Sequence, residues 1–328
     1  MAPPSAAPVS AVSPLTLGTR GSTLALAQSG VVKQALEARG HAVRLEIIQT
    51  TGDRDQTSAL SRIGGKGLFT KELDLALLEG RIDFAVHSLK DLPTDLERGI
   101  AVAAVPERED PRDVLIGAQS AGPAPTLQGL PRHSRLGTSS LRRRALASAF
   151  RPDLRIENVR GNLDTRIAKV DRGEYDAIVV AAAGVRRLGL WHRISEALER
   201  TAWLPAPGQG ALALAARADD AVVHRVLRAL DHRPSHIAVR AERALLASLG
   251  GGCQTPVAAL GLPYESGLRL WALVASPDGT RVVRADGTGL LADPEALGAE
   301  VAEVLAQRGA AEVLAAVAQD AIPRLFHP

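Results

Sequence analysis

Cys253 is the only cysteine in the 328-residue chain, and it stands directly after three glycines in LGGGCQTPV, Leu249 to Val257. A structural cysteine is ordinarily a small hydrophobe buried inside a strand or helix. Gly250, Gly251 and Gly252 remove side-chain bulk and open positive φ, so a ligand or another backbone segment can come close. Two readings of the thiol stand at this point. It either follows a helix stop without consequence, or it is a reactive or covalently modified group.

Asp91 is the second position for chemistry, in AVHSLKDLP with Lys90 beside it. If the strand ahead of it continues, alternation places His87, Leu89 and Asp91 on one side. A carboxylate leaving a sheet there can serve as a general acid/base or stabilise a cation. It can equally cap the turn before Pro93. His87 itself reads as a hydrogen-bonded core residue.

Anion recognition is written more broadly. LGTSSLRRR, Leu136 to Arg144, reads as strand, turn and helix start. The unpaired N–H groups of a helix N-terminus attract anions. Thr138, Ser139 and Ser140 add hydroxyls there, and Arg142 and Arg143 add forked charges suited to carboxylate or phosphate. LGTRGST, with Arg20 and Ser22, repeats the form near the start of the chain. RGNLDTR places Arg160 and Arg166 around a third helix start, and GVRRLG adds Arg186 and Arg187 after a strand. Ligands of open α/β sheets gather at such strand ends.

Charge distribution agrees. The chain as a whole carries only +3, yet residues 132–193 hold thirteen arginines and Lys169 against six acids, an excess of +8. A basic segment within a nearly neutral chain implies an anionic ligand. Aromatic residues make up 3% of the chain, too few for the stacking platforms of nucleic-acid binders, and no nucleic-acid motif occurs. One cysteine excludes an intramolecular disulfide or a cysteine-rich zinc site. No apolar run approaches the roughly 18 residues of a membrane span. The opening, MAPPSAAPVSAVSP, lacks a basic segment and is interrupted by prolines, so residues 1–14 are expected to be a disordered tail rather than a signal peptide. A cytoplasmic location is expected.

The elements that must position these residues alternate. LTLGTR predicts a strand and STLALAQSGVVKQALEARG a helix, with Ser22 as N-cap and Gly40 as stop. AVRLEIIQT predicts a strand, then follow the loop IGGKG, the helix LFTKELDLALLEG and the strand DFAVHSL. The pattern restarts with SRLGTSS, LRRRALASAF, LRIENV, NLDTRIAKVDRG and the strand YDAIVVAAAG. LPAPGQGALALAAR is a Pro/Gly-rich connection into another strand, suited to a crossing between domains. From His236 a helix runs to the glycine triplet, followed by three strands and two helices. Strand–helix alternation argues for α/β sheets, with a smaller α+β unit at the end.

GGKGLF, AVHSLKDLP, EREDPRD, GTSSLRRR, RGNLDTR, LPAPGQGA and GGCQTPV occur here in one order and spacing, and together they resemble the hydroxymethylbilane synthase (porphobilinogen deaminase) family from Leu15 onward. The resemblance implies two α/β domains similar to type II periplasmic binding proteins, with a cleft between them, and a smaller C-terminal α+β domain. Its boundaries are expected at 15–110 with 211–230, at 111–210 and at 231–328. It implies a dipyrromethane cofactor held through a thioether on Cys253, to which porphobilinogen units are added in succession. Loss of ammonia from porphobilinogen leaves a cationic pyrrole, and each ring brings an acetate and a propionate. By the same resemblance Asp91 is catalytic, holding pyrrole N–H groups and stabilising that positive charge. Lys90, Ser88, Thr138, Ser139, Ser140, Arg142, Arg143, Arg160 and Gly161 would bind the cofactor. Arg20, Ser22, Lys66, Phe69, Arg160, Arg166, Arg187 and Gln209 would bind substrate. Thr51 and Arg62 depart from the family's usual basic residue and lysine in a loop over the site. A monomer without protein, nucleic-acid or membrane partners is expected. Two rival readings use the same residues: a two-lobed anion-binding module without chemistry, and a thiol hydrolase pairing Cys253 with a histidine.

Overall fold

A computed structural model describes residues 14–50, 70–118, 124–252 and 255–321. Lys66, Phe69, Thr51, Arg62, Cys253 and all but the last residue of the expected N-terminal tail lie outside these described residues. The expected fold class holds: two α/β lobes and a smaller C-terminal sheet with helices.

The first lobe begins with β1 (Leu15–Thr19), α1 (Thr23–Glu37), β2 (Val43–Ile47), α2 (Lys71–Leu78), β3 (Phe84–Ser88) and β4 (Ile100–Ala104). Ser22 caps α1 as expected, its hydroxyl accepting from Ala25 N at 3.3 Å. The second lobe holds β5 (Asp113–Gly117), β6 (Arg135–Gly137), α3 (Leu141–Phe150), β7 (Arg155–Glu157), α4 (Leu163–Asp171), β8 (Ala177–Ala181), α5 (Ala182–Arg187) and β9 (Glu196–Ala197). Then come β10 (Leu212–Arg217), α6 (Ala221–Arg228), α7 (Arg233–Ser248), β11 (Val257–Tyr264), β12 (Gly267–Ala275), β13 (Val282–Gly289), α8 (Pro294–Gln307) and α9 (Ala310–Ala321).

The two lobes share one strand plan. In the first sheet the order is β2-β1-β3-β10-β4, and in the second β7-β6-β8-β5-β9. In each, three parallel strands are followed by an antiparallel fourth. That fourth strand joins its sheet straight after a crossing from the other lobe: β5 after residues 105–112, β10 after residues 198–211. The crossings therefore lie side by side at the hinge, where Glu109 N donates to Gly210 O at 3.3 Å.

Alternation along the strands explains the packing. On β3, Phe84 and Val86 join one core with α1, and Ala85 joins another with α2. Because both faces are covered, these strands read as continuous apolar runs. In the second lobe Val114 and Ile116 face α4 and α5, whereas Leu115 faces the third sheet. There Leu260 and Leu273 of β11 and β12 pack with Leu136, Leu146 and Trp203. The opposite face of that sheet is covered by α7 and α8 through Ala241, Leu245, Leu297 and Val301.

Three expectations are corrected. The strand YDAIVVAAAG stops at Ala181, and Ala182 already begins α5; an unbroken apolar run does not mark that switch. The strand before Asp91 stops at Ser88, and Leu89–Asp91 form a 3-10 turn. His87, Leu89 and Asp91 therefore do not share a strand face: Leu89 is 1% exposed, while Asp91 is open to solvent. His87 is buried as expected, but its Nε2 has no hydrogen-bond partner among the described residues. Burial, with the charge of Arg20 nearby, lowers His87 to about 4, so it is neutral at pH 7.

Candidate active site

The Leu89–Asp91 turn presents Lys90 and Asp91 between the lobes. Leu89 N donates to Ala211 O at 3.0 Å, and Leu92 N closes the turn on Leu89 O at 3.1 Å. Gly208, on the return crossing at φ +73, presses against the same turn. A Cβ there would lie 2.2 Å from Leu89 Cδ2 and 3.3 Å from Lys90 N. Only glycine combines that backbone angle with that approach. The Asp91 carboxylate makes no hydrogen bond or ion pair among the described residues and is exposed.

Opposite it stands the helix start of α3. Ser140 caps it, accepting from Arg143 N at 3.4 Å, while Ser139 Oγ donates to Val159 O at 2.6 Å. Thr138 is buried and accepts from Ser140 N at 3.2 Å. Arg142 and Arg143 do not reach outward as a sequence reading expects. Both are buried on Asp113, the first residue of β5: Arg142 Nη1 at 2.7 Å from Oδ2, Arg143 Nη2 at 2.8 Å from Oδ1. Trp203 Nε1 and Gln209 Nε2 also donate to Asp113, at 2.9 and 2.8 Å. Burial opposes the Asp113 charge, but the two guanidiniums prevail and hold its carboxyl well below the usual range.

Two cations on one buried carboxylate leave positive charge in excess. Arg142 Nε is buried without a hydrogen-bond partner among the described residues. Lys90 adds to the excess. Burial, the largest effect, and Arg143 and Arg142 lower it to about 8, against the raising pull of Asp91 and Asp113. Arg166 is lowered to about 10 by burial and by Arg143 and Arg160, with Asp91 acting the other way. Its Nε is held by Gly161 O at 2.8 Å. Lys90, Asp91, Arg142, Arg143, Arg160 and Arg166 thus share one field. Among the described residues the cations here outnumber the carboxylates, a balance that suits an anionic ligand.

Other candidates sit at the margins. Ser88 accepts from Gln28 Nε2 at 2.7 Å, and Arg20 follows β1 within reach of the field at His87. Arg187 donates to Gly210 O at 2.7 Å, on the return crossing. Gln209 is 0% exposed. Its Oε1 accepts from Arg143 at 3.2 Å and from Lys90 at 3.5 Å, so it links the lobes through their cations.

Sequence reasoning missed Asp113, Trp203, Arg108, Glu242 and Arg243. Arg108 and Asp113 fall in EREDPRD, where a charge run imitates a solvated loop. Arg108, on the outward crossing, makes a forked pair with Glu242 of α7 at 2.6 and 3.0 Å. Glu242 is fully buried and also accepts from Gly208 N at 2.6 Å and Gly261 N at 2.8 Å. One carboxylate therefore ties both crossings to the third sheet. Glu242→Ala, which strands the Arg108 charge, is expected to cost about 3–5 kcal/mol. The shift of the denaturant midpoint measures it, and an unchanged midpoint would remove Glu242 from this role.

A family model described as "Porphobilinogen deaminase, dipyromethane cofactor binding domain" matches residues 15–225, and "Porphobilinogen deaminase, C-terminal domain" matches residues 236–307. The porphobilinogen deaminase of Desulforudis audaxviator is 51% identical over 305 residues, covering 92% of this chain and 97% of that one. That of Moorella thermoacetica is 47% identical over 302 residues, covering 92% and 95%. Among solved structures, a periplasmic substrate-binding protein of an ABC transporter from Coxiella burnetii matches 70% of this chain and 96% of its own, at 15% identity and a TM-score of 0.42.

Proposed function

The chain belongs to the porphobilinogen deaminase family, and we propose that its reaction centres on Asp91 at the mouth of the cation cluster of Lys90, Arg142, Arg143, Arg160 and Arg166. The activity is a transferase reaction that joins four porphobilinogen molecules head to tail, with loss of ammonia, and releases hydroxymethylbilane. When bound, the dipyrromethane cofactor supplies the covalently held primer for that condensation. Its carboxylates suit this donor set, which includes Arg142 Nε, buried with no hydrogen-bond partner among the described residues.

The observation that carries this reading is the position of Asp91. Its carboxylate is exposed and makes no hydrogen bond among the described residues, yet its field reaches Lys90 and Arg166. It can accept from a substrate pyrrole N–H and stabilise the positive charge that develops as ammonia leaves. Arg160 and Arg166, with Arg20 and Ser22 across the cleft, would hold substrate carboxylates. Arg143 and Lys90 would hold those of the cofactor. Arg142 and Gln209, both buried, would act by fixing Arg143 and Lys90 through Asp113 and the Gln209 amide. Lys66 and Phe69 are further substrate contacts by family pattern, and Cys253 is the attachment point.

The intact mass of the purified protein tests the reading. A two-pyrrole adduct, followed by steps of one pyrrole on addition of porphobilinogen, is expected. An unmodified chain that never acquires such steps would overturn it.

Lys90 gives the site a pH signature. Raising pH through about 8 removes its proton and one positive charge, so carboxylate binding weakens on the alkaline side. A bound carboxylate favours the charged form and moves that limb to higher pH. The substrate KM is therefore expected to rise above about pH 8, and Lys90→Met should flatten the rise. An identical profile in the variant would assign the limb to another group. We propose domains at 15–110 with 211–230, at 111–210 and at 231–328, a division that the exchange of β5 and β10 supports. A monomeric, cytoplasmic enzyme is the form we propose; no helix among the described residues is long and apolar enough to cross a membrane.

A further inference from the structure

We propose that Arg243 is a positioning residue for the reaction: from α7 it fixes the backbone that carries Asp91, so that Asp91 and the helix leading to Cys253 are held in one register. The proposal rests on the reading of Asp91 as the group that meets substrate.

The contacts are specific. Arg243 Nη1 donates to Leu92 O at 3.1 Å, and Nη2 donates to Pro93 O at 2.6 Å and to Thr94 O at 3.1 Å. Three consecutive carbonyls, starting one residue after Asp91, converge on a single guanidinium. The segment needs such a partner. Pro93 has no N–H, so the chain leaving the turn lacks one of the donors that an ordinary ladder would use. A planar fork with five donors can gather several carbonyls where a lysine, a point charge on a flexible stem, cannot hold them all in one geometry.

The helix adds a second grip in the same place. Val239 lies four residues before Arg243, on the same face of α7. It packs in one cluster with Leu89 and Leu92, the residues on either side of Lys90 and Asp91. Ser235, four residues earlier again, accepts from Arg108 N at 2.9 Å. One stripe of α7 thus holds the outward crossing, the apolar sides of the Asp91 turn and the carbonyls beyond it. The next residue along from this stripe, Glu242, fixes the return crossing at Gly208.

The far end of the helix gives this grip its meaning. α7 ends at Ser248, and Gly250 to Gly252 lead directly to Cys253. Five residues of helix separate Arg243 from Ser248, a rise of about 7.5 Å. The segment that leads to Cys253 therefore leaves from the same helix that fixes the Asp91 backbone. Without Arg243, Asp91 would still be present, but its backbone could shift relative to the tethered chain. Misplacement of a reacting group by about 1 Å can lower a rate by roughly 100-fold.

The test uses the holoenzyme carrying Arg243→Met, which keeps the aliphatic stem and a helix-forming residue. Expected results are a two-pyrrole adduct by intact mass, a melting temperature close to wild type, unchanged KM, and a kcat lower by roughly 10- to 100-fold. Hydrogen exchange should rise in the segment spanning residues 89–95 and not in the lobe cores. Arg243→Lys, able to reach some of the carbonyls, should recover part of the kcat. Introduced beside Asp91→Glu, whose carboxylate is already displaced, Arg243→Met should lower kcat by less than it does alone. Wild-type kcat in Arg243→Met, or effects that simply multiply with Asp91→Glu, would overturn the proposal while leaving the role of Asp91 intact. So would a loss of kcat that merely follows a global loss of stability and is not relieved by Arg243→Lys. Asp91→Asn measured alone separates the two ideas: full activity there overturns the reading of Asp91, and this proposal with it.

Discussion

Asp91→Asn is expected to lower turnover by about 100- to 1,000-fold, the scale on which one preorganised electrostatic contact commonly acts, with the fold unchanged. Asn keeps the shape and one acceptor oxygen but removes the charge. The positive charge on the pyrrole is larger in the transition state than in the bound substrate, so a fixed carboxylate favours the former. Asp91→Glu keeps the charge and displaces it, and should lose less. The alternative role, a cap for the turn before Pro93, predicts a nearly silent Asn. The structure offers little for that role to do: Leu92 N on Leu89 O closes the turn, and Arg243 holds the carbonyls that follow. Steady-state turnover of the two variants, with circular dichroism for folding, decides the matter. An Asn variant of wild-type activity would leave Asp91 without a catalytic role.

Cys253→Ala should lose the adduct and all tetrapyrrole formation, because the chain has no second thiol to substitute. The glycines ahead of it divide the labour of presenting that thiol. Gly250 terminates α7 at φ +62. At Gly251 a Cβ would lie 2.6 Å from Leu246 Cδ1 and 3.0 Å from Thr255 Oγ1, so a side chain there would require Leu246 to shift. At Gly252 no described atom comes within 4 Å of a Cβ. Covalent attachment converts successive encounters into intramolecular ones, an advantage that a freely diffusing primer cannot supply. Cys253→Ser, a near-isostere with a far less nucleophilic oxygen, should fail in the same way. Adduct retained on either variant, by intact mass, would move the attachment point elsewhere.

Much of this was legible in the chain, and the failures share a cause. Ser22 is readable as a cap because a cap is local, decided within three residues. The strand–helix alternation was readable for the same reason. The turn at Leu89 was not, since its departure from the strand is imposed by Gly208 and Ala211 more than a hundred positions later. Arg142 and Arg143 read as outward-facing anion binders, but the anion they meet in the fold is Asp113, about thirty positions earlier in the sequence. Glu242 and Arg243, in the middle of VRAERALL, look like the solvated face of an amphipathic helix. They are instead the residues through which that helix grips the hinge and the Asp91 turn. Charge on a helix face tells little until the neighbouring element is known.

The strand exchange between the lobes has a consequence for how the chain is made. β3 and β4 are synthesised early, yet the strand that fills the space between them, β10, begins only at Leu212. At about 5–20 residues per second on the ribosome, the interval is on the order of 5–20 s. Throughout it the nascent first lobe has two unpaired strand edges, which are open to pairing with other chains. The second lobe has no such wait, because β5 precedes its neighbours β8 and β9 and all are supplied in one stretch. The lobe made first must therefore be the one completed last, and its closure is a long-range pairing of the kind that slows folding.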